Sequence, residues 1–301
     1  MSEAPVNDST VEHLFDEDDC IDQLLQRHLP TLRERASVGG TGLFVLIDPL
    51  AGDPVLEEAL EADLDTEALN AARSQAWGAP CHSLSLPPRL DLDPAMAPYL
   101  VELSGTDDPW LDSTLEWALR ETVRSWQAPA DAQPAHRVGG WLHSAAFGPA
   151  LAHQLSGWLV LSTRSNTPAR YLRLADRRVW SLALHVLGES AVAQRLGSVQ
   201  CWQWIDAHGV CCELQSTPSE HLTEPGEPFV QFSQAQWALM ALGDKVHGPM
   251  AQERGRRLIT LGEQPTQWQP VSAAQWQAAL KAAGHPAPHP KNKTKQEGTP
   301  T

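Results

Sequence analysis

Apolar positions recur at helical spacing near the start of the chain, at Ile21, Leu24, Leu25, Leu29 and Leu32. This predicts a helix over residues 18–36, with Pro30 expected to kink or split it because proline removes a donor and crowds the preceding turn. Gly39, Gly40 and Gly42 lead into residues 43–48, an unbroken apolar run ending in Asp48 that reads as a buried strand. A helix is expected over 54–64, strands over 81–86 and 99–103, and a loop rich in proline and aspartate over 91–98. The next helix has a capping Asp108, Pro109 at its first position, and Leu111, Leu115, Leu119, Thr122 and Trp126 along one face. A strand over 138–144 and a short helix over 147–155 follow. Two hairpins are expected, 158–163 with 170–175 and 199–206 with 210–215. Between them a helix over 177–187 carries Val179, Leu182, Ala183 and Val186 on one face.

Strands and helices interleave up to about residue 216, which predicts a mixed α/β (α+β) N-terminal lobe over 18–216. Residues 217–228 contain three prolines and several acids and read as a linker. Beyond it, Ser233 precedes Gln236 by three residues and Ser272 precedes Gln275 by three, the capping-box signature of two helix starts. Gly284 suits a helix stop. A smaller, mainly helical C-terminal lobe is therefore expected over 217–284. The acidic residues 1–17 read as a flexible arm, and the proline- and lysine-bearing residues 285–301 as a disordered tail.

Composition narrows the function classes. The chain of 301 residues is long enough to bury a core without a disulfide or metal staple. A net charge of −15 argues against nucleic acid and against an anionic membrane as partners, since both are bound through Lys and Arg. The acidic N-terminus lacks the basic start and apolar stretch of a signal peptide. The five cysteines have no CxxC spacing, and adjacent Cys211 and Cys212 would point to opposite faces of a strand. They read as free thiols of a cytoplasmic protein.

Candidate chemistry is sparse. No GxSxG turn occurs, and the 39–42 glycine cluster lacks the GK[ST] ending and precedes its strand instead of following it. His285 and His289 are separated by prolines that prevent a shared helical face, so a zinc pair is not expected. The acidic run 16–19 reads as a helix entry, and Asp91 with Asp93 as a turn. His143 and His185 lie in apolar segments and read as core histidines. No catalytic residue, metal or cofactor is assigned. Twelve tryptophans beside five Phe and two Tyr are in excess, and because Trp is favoured where proteins bind proteins, the balance tilts toward a partner-binding protein.

Four segments in order carry a resemblance: Leu43-Phe44-Val45-Leu46-Ile47-Asp48, Ala97-Pro98-Tyr99-Leu100-Val101-Glu102-Leu103, residues 158–163, and Arg170-Tyr171-Leu172-Arg173-Leu174-Ala175-Asp176-Arg177-Arg178-Val179. Together they resemble the type VI secretion effector adaptor, or chaperone, family over about residues 42–206, and the Ser233 helix is similar to that family's C-terminal lobe. The fourth segment is similar to the family's Arg-x-x-Asp-Pro-Arg signature, with Arg177 standing where the family places proline, so that Arg178 is a candidate counterpart of the family arginine. The resemblance implies a cytoplasmic, non-enzymatic adaptor without cofactor. Such a protein binds a cognate toxic effector and helps load it onto a VgrG-type spike. The signature residues, structural or partner-binding, are Asp48, Pro98, Tyr99, Arg173, Asp176, Arg177 and Arg178. Two alternatives stand beside it: an enzyme assembled from dispersed residues such as Asp48, His143 and Arg173, and a structural subunit that self-associates through exposed tryptophans.

Overall fold

A computed structural model describes residues 16–36, 40–56, 64–86, 90, 92–161, 170–217, 232–264 and 267–284. Five strands run through the first part of the chain: β1 (Gly42–Ile47), β2 (Cys81–Ser83), β3 (Tyr99–Leu103), β4 (Val138–Ser144) and the two-residue β5 (Val160–Leu161). Then come the equally short β6 (Arg170–Tyr171), β7 (Val199–Ile205) and β8 (Cys211–Gln215). The helices interleaved with them are α1 (Glu17–Ala36), α2 (Thr66–Trp77), α3 (Pro109–Gln127), α4 (Gly148–Leu159), α5 (Arg177–Leu187) and α6 (Glu189–Ala193). A mainly helical C-terminal region holds α7 (Gln234–Met240), α8 (Gly243–Leu261) and α9 (Ala273–Ala282). The mixed α/β region followed by helices is the architecture that the hydrophobic pattern predicts.

Six strands form one sheet in the order β2-β3-β1-β4-β7-β8, and every neighbouring pair is antiparallel. Helices cover both faces, so the central strands are apolar on both sides. In β1, Leu43, Val45 and Ile47 join a core with Tyr99, Val101, Trp141 and helices α1 and α3. Phe44 and Leu46 face the opposite core, with Leu100, Leu142, Trp202 and helices α4 to α7. This is the period-two alternation of a strand, with both of its faces buried.

Gly139 decides where the β6–α5 connection lies. The register of β1 on β4 slips between Leu46 and Ile47, so Gly139 is bulged, and a Cβ there would meet the backbone of Ala175. Its lack of a side chain brings the residues just before α5 directly against the sheet.

Several expectations are corrected. α1 runs unbroken through Pro30, which lies on the exposed side where the carbonyl it leaves unpaired can meet water. The expected helix over 54–64 lies mostly outside the described residues; the helix of that region is α2, capped by Asp65. Trp158 belongs to α4, which extends to Leu159, and the first hairpin keeps only two residues on each side. Residues 172–175 are not strand; Leu172, Leu174 and Ala175 are all buried, so strand alternation does not hold there. The whole of α8 escapes the hydrophobic pattern, since it contains Gly243, Gly248, Gly255 and Pro249 and has no continuous apolar stripe. Residues 1–15 of the 1–17 arm, most of the 217–228 linker and the tail over 285–301 fall outside the described residues, and Glu17, the last residue of that arm, is instead the first of α1.

Candidate binding site

Asp48 follows β1 directly and is fully buried. Its backbone N–H donates to the Arg137 carbonyl at 2.7 Å, anchoring it beside β4. One carboxylate oxygen accepts from the Leu50 N–H at 3.0 Å, capping the 3-10 turn Pro49–Ala51. The other accepts from Arg173 Nε at 2.5 Å, 125 positions along the chain. Burial pushes the Asp48 carboxyl up, and the Arg173 guanidinium offsets only part of that rise.

Asp176 is the N-cap of α5, accepting the Arg178 N–H at 3.0 Å. Arg178 returns its own guanidinium to both oxygens of the same carboxylate, Nη2 lying 2.6 Å from Oδ2, and Arg173 Nη1 approaches Oδ2 to 3.7 Å. Burial favours the neutral acid at Asp176, yet Arg178, Arg173 and the capped N–H together hold its carboxyl below the usual range. Asp48, Arg173, Asp176 and Arg178 therefore form one continuous ion network.

Arg177 turns the other way. Its guanidinium is buried on α3, donating to Glu121 Oε2 at 2.8 Å, Thr122 Oγ1 at 2.8 Å, and the carbonyls of Ala118 and Val138. It ties α5 to α3 and β4, while Arg178 takes the place beside Asp176. Tyr99 and Pro98 belong to a different part of the fold. The Tyr99 hydroxyl donates to Asp53 at 3.0 Å and accepts from the Trp77 indole at 3.2 Å. Arg73 lies over its ring at 4.0 Å and pairs with Asp53 in full burial. The Pro98 carbonyl accepts the Leu84 N–H at 2.8 Å. These contacts hold α2 and β2 to β3, and the sequence reading singled out neither Arg73 nor Asp53.

A cavity of about 240 Å³ opens beside the ion network, between the β6–α5 connection and helices α7 and α8. Its polar lining is Tyr171, Arg173, Asp176, Arg178, Asp244 and His247, and its apolar walls include Leu172, Val179, Leu182, Trp237 and Met240. His247 is buried, and burial pushes its ring down to about 4, with the Asp176 carboxylate opposing the drop. Nothing in the sequence pointed to His247 or Asp244, because both sit on α8, the helix without an apolar signature.

A second cavity, of about 340 Å³, lies between α5, β8 and α9. Cys211 and Cys212 line it, and burial pushes the Cys211 thiol up to about 12 and that of Cys212 higher still, which removes both as thiolate nucleophiles at neutral pH. All five cysteines are free thiols, and Cys211 and Cys212 pack against opposite cores, as strand geometry requires.

The remaining candidates resolve simply. His143 is buried and paired with Gln203 at 3.0 Å; it lies opposite Leu43, at the far end of β1 from Asp48. Asp48, His143 and Arg173 therefore do not converge. His185 is only half-buried and stacks on Trp276 at 5.6 Å. Asp16 accepts from the Asp18 and Asp19 N–H groups as a helix entry, and Asp93 caps a 3-10 turn. Asp91, His285 and His289 lie outside the described residues. None of the twelve tryptophans is exposed: ten are buried, and Trp110 and Trp117 are half-buried. The Trp excess serves packing: eleven tryptophans join the two large cores, and Trp276 joins a smaller cluster with Leu182, Val246 and Leu280.

No family model matches the chain, and neither the curated proteins nor the solved structures yield a match. Among the described residues no cluster of three His, Cys, Asp or Glu is placed to hold a metal ion, and no helix is long and apolar enough to cross a membrane.

Proposed function

We propose that this protein is a non-enzymatic adaptor that binds a cognate type VI secretion effector in the cytoplasm and helps load it onto a VgrG-type spike. One observation carries the reading. Asp48, Arg173, Asp176 and Arg178, four of the residues behind the family resemblance, come from segments 125 positions apart and meet in one ion network. That network borders an open cavity lined on its other side by the C-terminal helices. A fold in which three of these charged groups line such a cavity, with Asp48 holding Arg173 from behind, suits the capture of a partner segment. The test is co-expression with the effector encoded beside this chain. The expected result is a stoichiometric complex on a sizing column and a raised level of soluble effector. An effector equally soluble alone, and separable on the column, overturns the reading.

A further inference from the structure

The polar atoms left over around the 240 Å³ cavity specify what it takes. Arg173 uses Nε on Asp48 and Nη1 toward Asp176, while its Nη2 is buried without a partner. The Tyr171 hydroxyl is likewise buried and unpartnered. His247, only 5% exposed, has at most a hydrogen bond to the Arg178 backbone, which leaves at least one ring nitrogen without a partner. All three residues line the same cavity. Leaving buried polar groups unpaired is costly, so such a set marks a place where a ligand supplies the missing bonds.

The chemistry of these atoms is selective. Arg173 Nη2 can only donate. Burial pushes the Tyr171 hydroxyl up, and Asp48 pushes it further, so it remains a donor at neutral pH. The neutral His247 ring supplies one donor and one acceptor. Charge argues against an anion: Arg173 and Arg178 are matched by Asp176 and Asp244 on the lining, and Asp48 stands directly behind Arg173. The surplus of donors argues against a cation. The cavity, about 240 Å³, has room for a side chain between the apolar walls.

We infer that this cavity is a receptor for a primary carboxamide, the side chain of a glutamine or asparagine presented by a partner segment. The carboxamide oxygen accepts from Arg173 Nη2 and the Tyr171 hydroxyl, and its NH₂ donates to the acceptor nitrogen of His247. The methylene stem lies against Trp237 and Met240. That the side chain belongs to a protein partner rests on the adaptor reading; the preference for the carboxamide does not.

The experiment titrates the full chain with N-acetylglutamine amide, following the His247 ring and Trp indole signals by NMR. N-acetylglutamate amide and N-acetylleucine amide serve as the charged and apolar controls. For a probe of this size, saturation is expected at a Kd of about 1–10 mM. Both controls should bind at least fivefold more weakly. Tyr171→Phe and His247→Phe, which keep the shape of each side chain, should each weaken the glutamine probe by at least fivefold while leaving the melting temperature near that of the parent. Absence of shifts at 100 mM probe overturns the inference, as does equal or tighter binding of either control. Effector capture by the same variants separates this inference from the adaptor reading. Undiminished capture by Tyr171→Phe sinks the partner-side-chain assignment and leaves the adaptor reading standing. Carboxamide binding in a protein that captures no effector does the reverse for the adaptor reading.

Discussion

Asp176 illustrates how much one residue can carry. As an N-cap alone, its loss would cost about 0.5–2 kcal/mol. It also neutralises Arg178 and part of Arg173, and removing one partner from a largely buried pair costs about 3–5 kcal/mol when both ions are fully desolvated. The two arginines retain some exposure, so Asp176→Ala is expected to cost about 2–4 kcal/mol in a denaturant titration, with Asp176→Asn keeping the cap and falling between. A loss below 1 kcal/mol would show that the network contributes little. Several buried histidines share the acid response, His136, His143 and His208 among them, and His28 and His247 belong to that set. Burial pushes both His28 and His247 down to about 4, although the Gly209 carbonyl partly restores His28. A base with a lowered folded pKa is protonated first in the unfolded chain, so stability is full above about pH 6.5 and declines as pH falls toward 4. Each contributes about 3 kcal/mol to that decline. His28→Gln, which can still donate to Gly209, should flatten the melting-temperature profile between pH 4 and 6.5; an unchanged slope refutes the assignment.

At the scale of elements, local chemistry and packing make opposite demands on α8. Replacing a mid-helix glycine by alanine ordinarily stabilises a helix by up to about 1 kcal/mol. A Cβ at Gly255, however, would collide with the Trp126 carbonyl, because α8 packs its backbone directly on the end of α3. Gly255→Ala is expected to destabilise by about 1–3 kcal/mol despite the gain in propensity. A rise in melting temperature would mean that the helices separate easily. α9 behaves in the opposite way. Ser272 accepts the Gln275 N–H while Gln275 reaches back to the Ser272 N–H, so its start depends on the local sequence. Ser272→Ala should cost about 1 kcal/mol, read from the same unfolding curves.

For the whole molecule, the C-terminal helices are bonded into the α/β region. Trp268 packs edge-on against Trp126 at 4.9 Å, and the fully buried Asp206 carboxylate accepts the Val271 N–H at 2.8 Å. A chain truncated after residue 217 would expose Trp126 and leave one Asp206 bond unmade. It is expected to lose the sharp thermal transition and the near-ultraviolet tryptophan signal of the intact protein. A truncated chain that melts as sharply as the parent would show that the α/β region folds alone.

What was legible in the sequence was what local chemistry decides. The strands at 99–103 and 138–144, the helix at 177–187, the Asp108 and Asp176 caps and both capping boxes follow from alternation, helical spacing and side-chain acceptors close in the chain. Asp48, Arg173, Asp176 and Arg178 were also singled out there, but not their meeting. Only tertiary structure decided the rest: the pairing of Asp48 with Arg173 across 125 positions, the inward turn of Arg177 onto Glu121, and the burial of the tryptophans. The same holds for α8, whose Gly248 and Gly255 fit against the backbone of Ala130 and Trp126. Each of these depends on surfaces brought together from distant segments, and the periodicity of a single segment carries no record of what will pack against it.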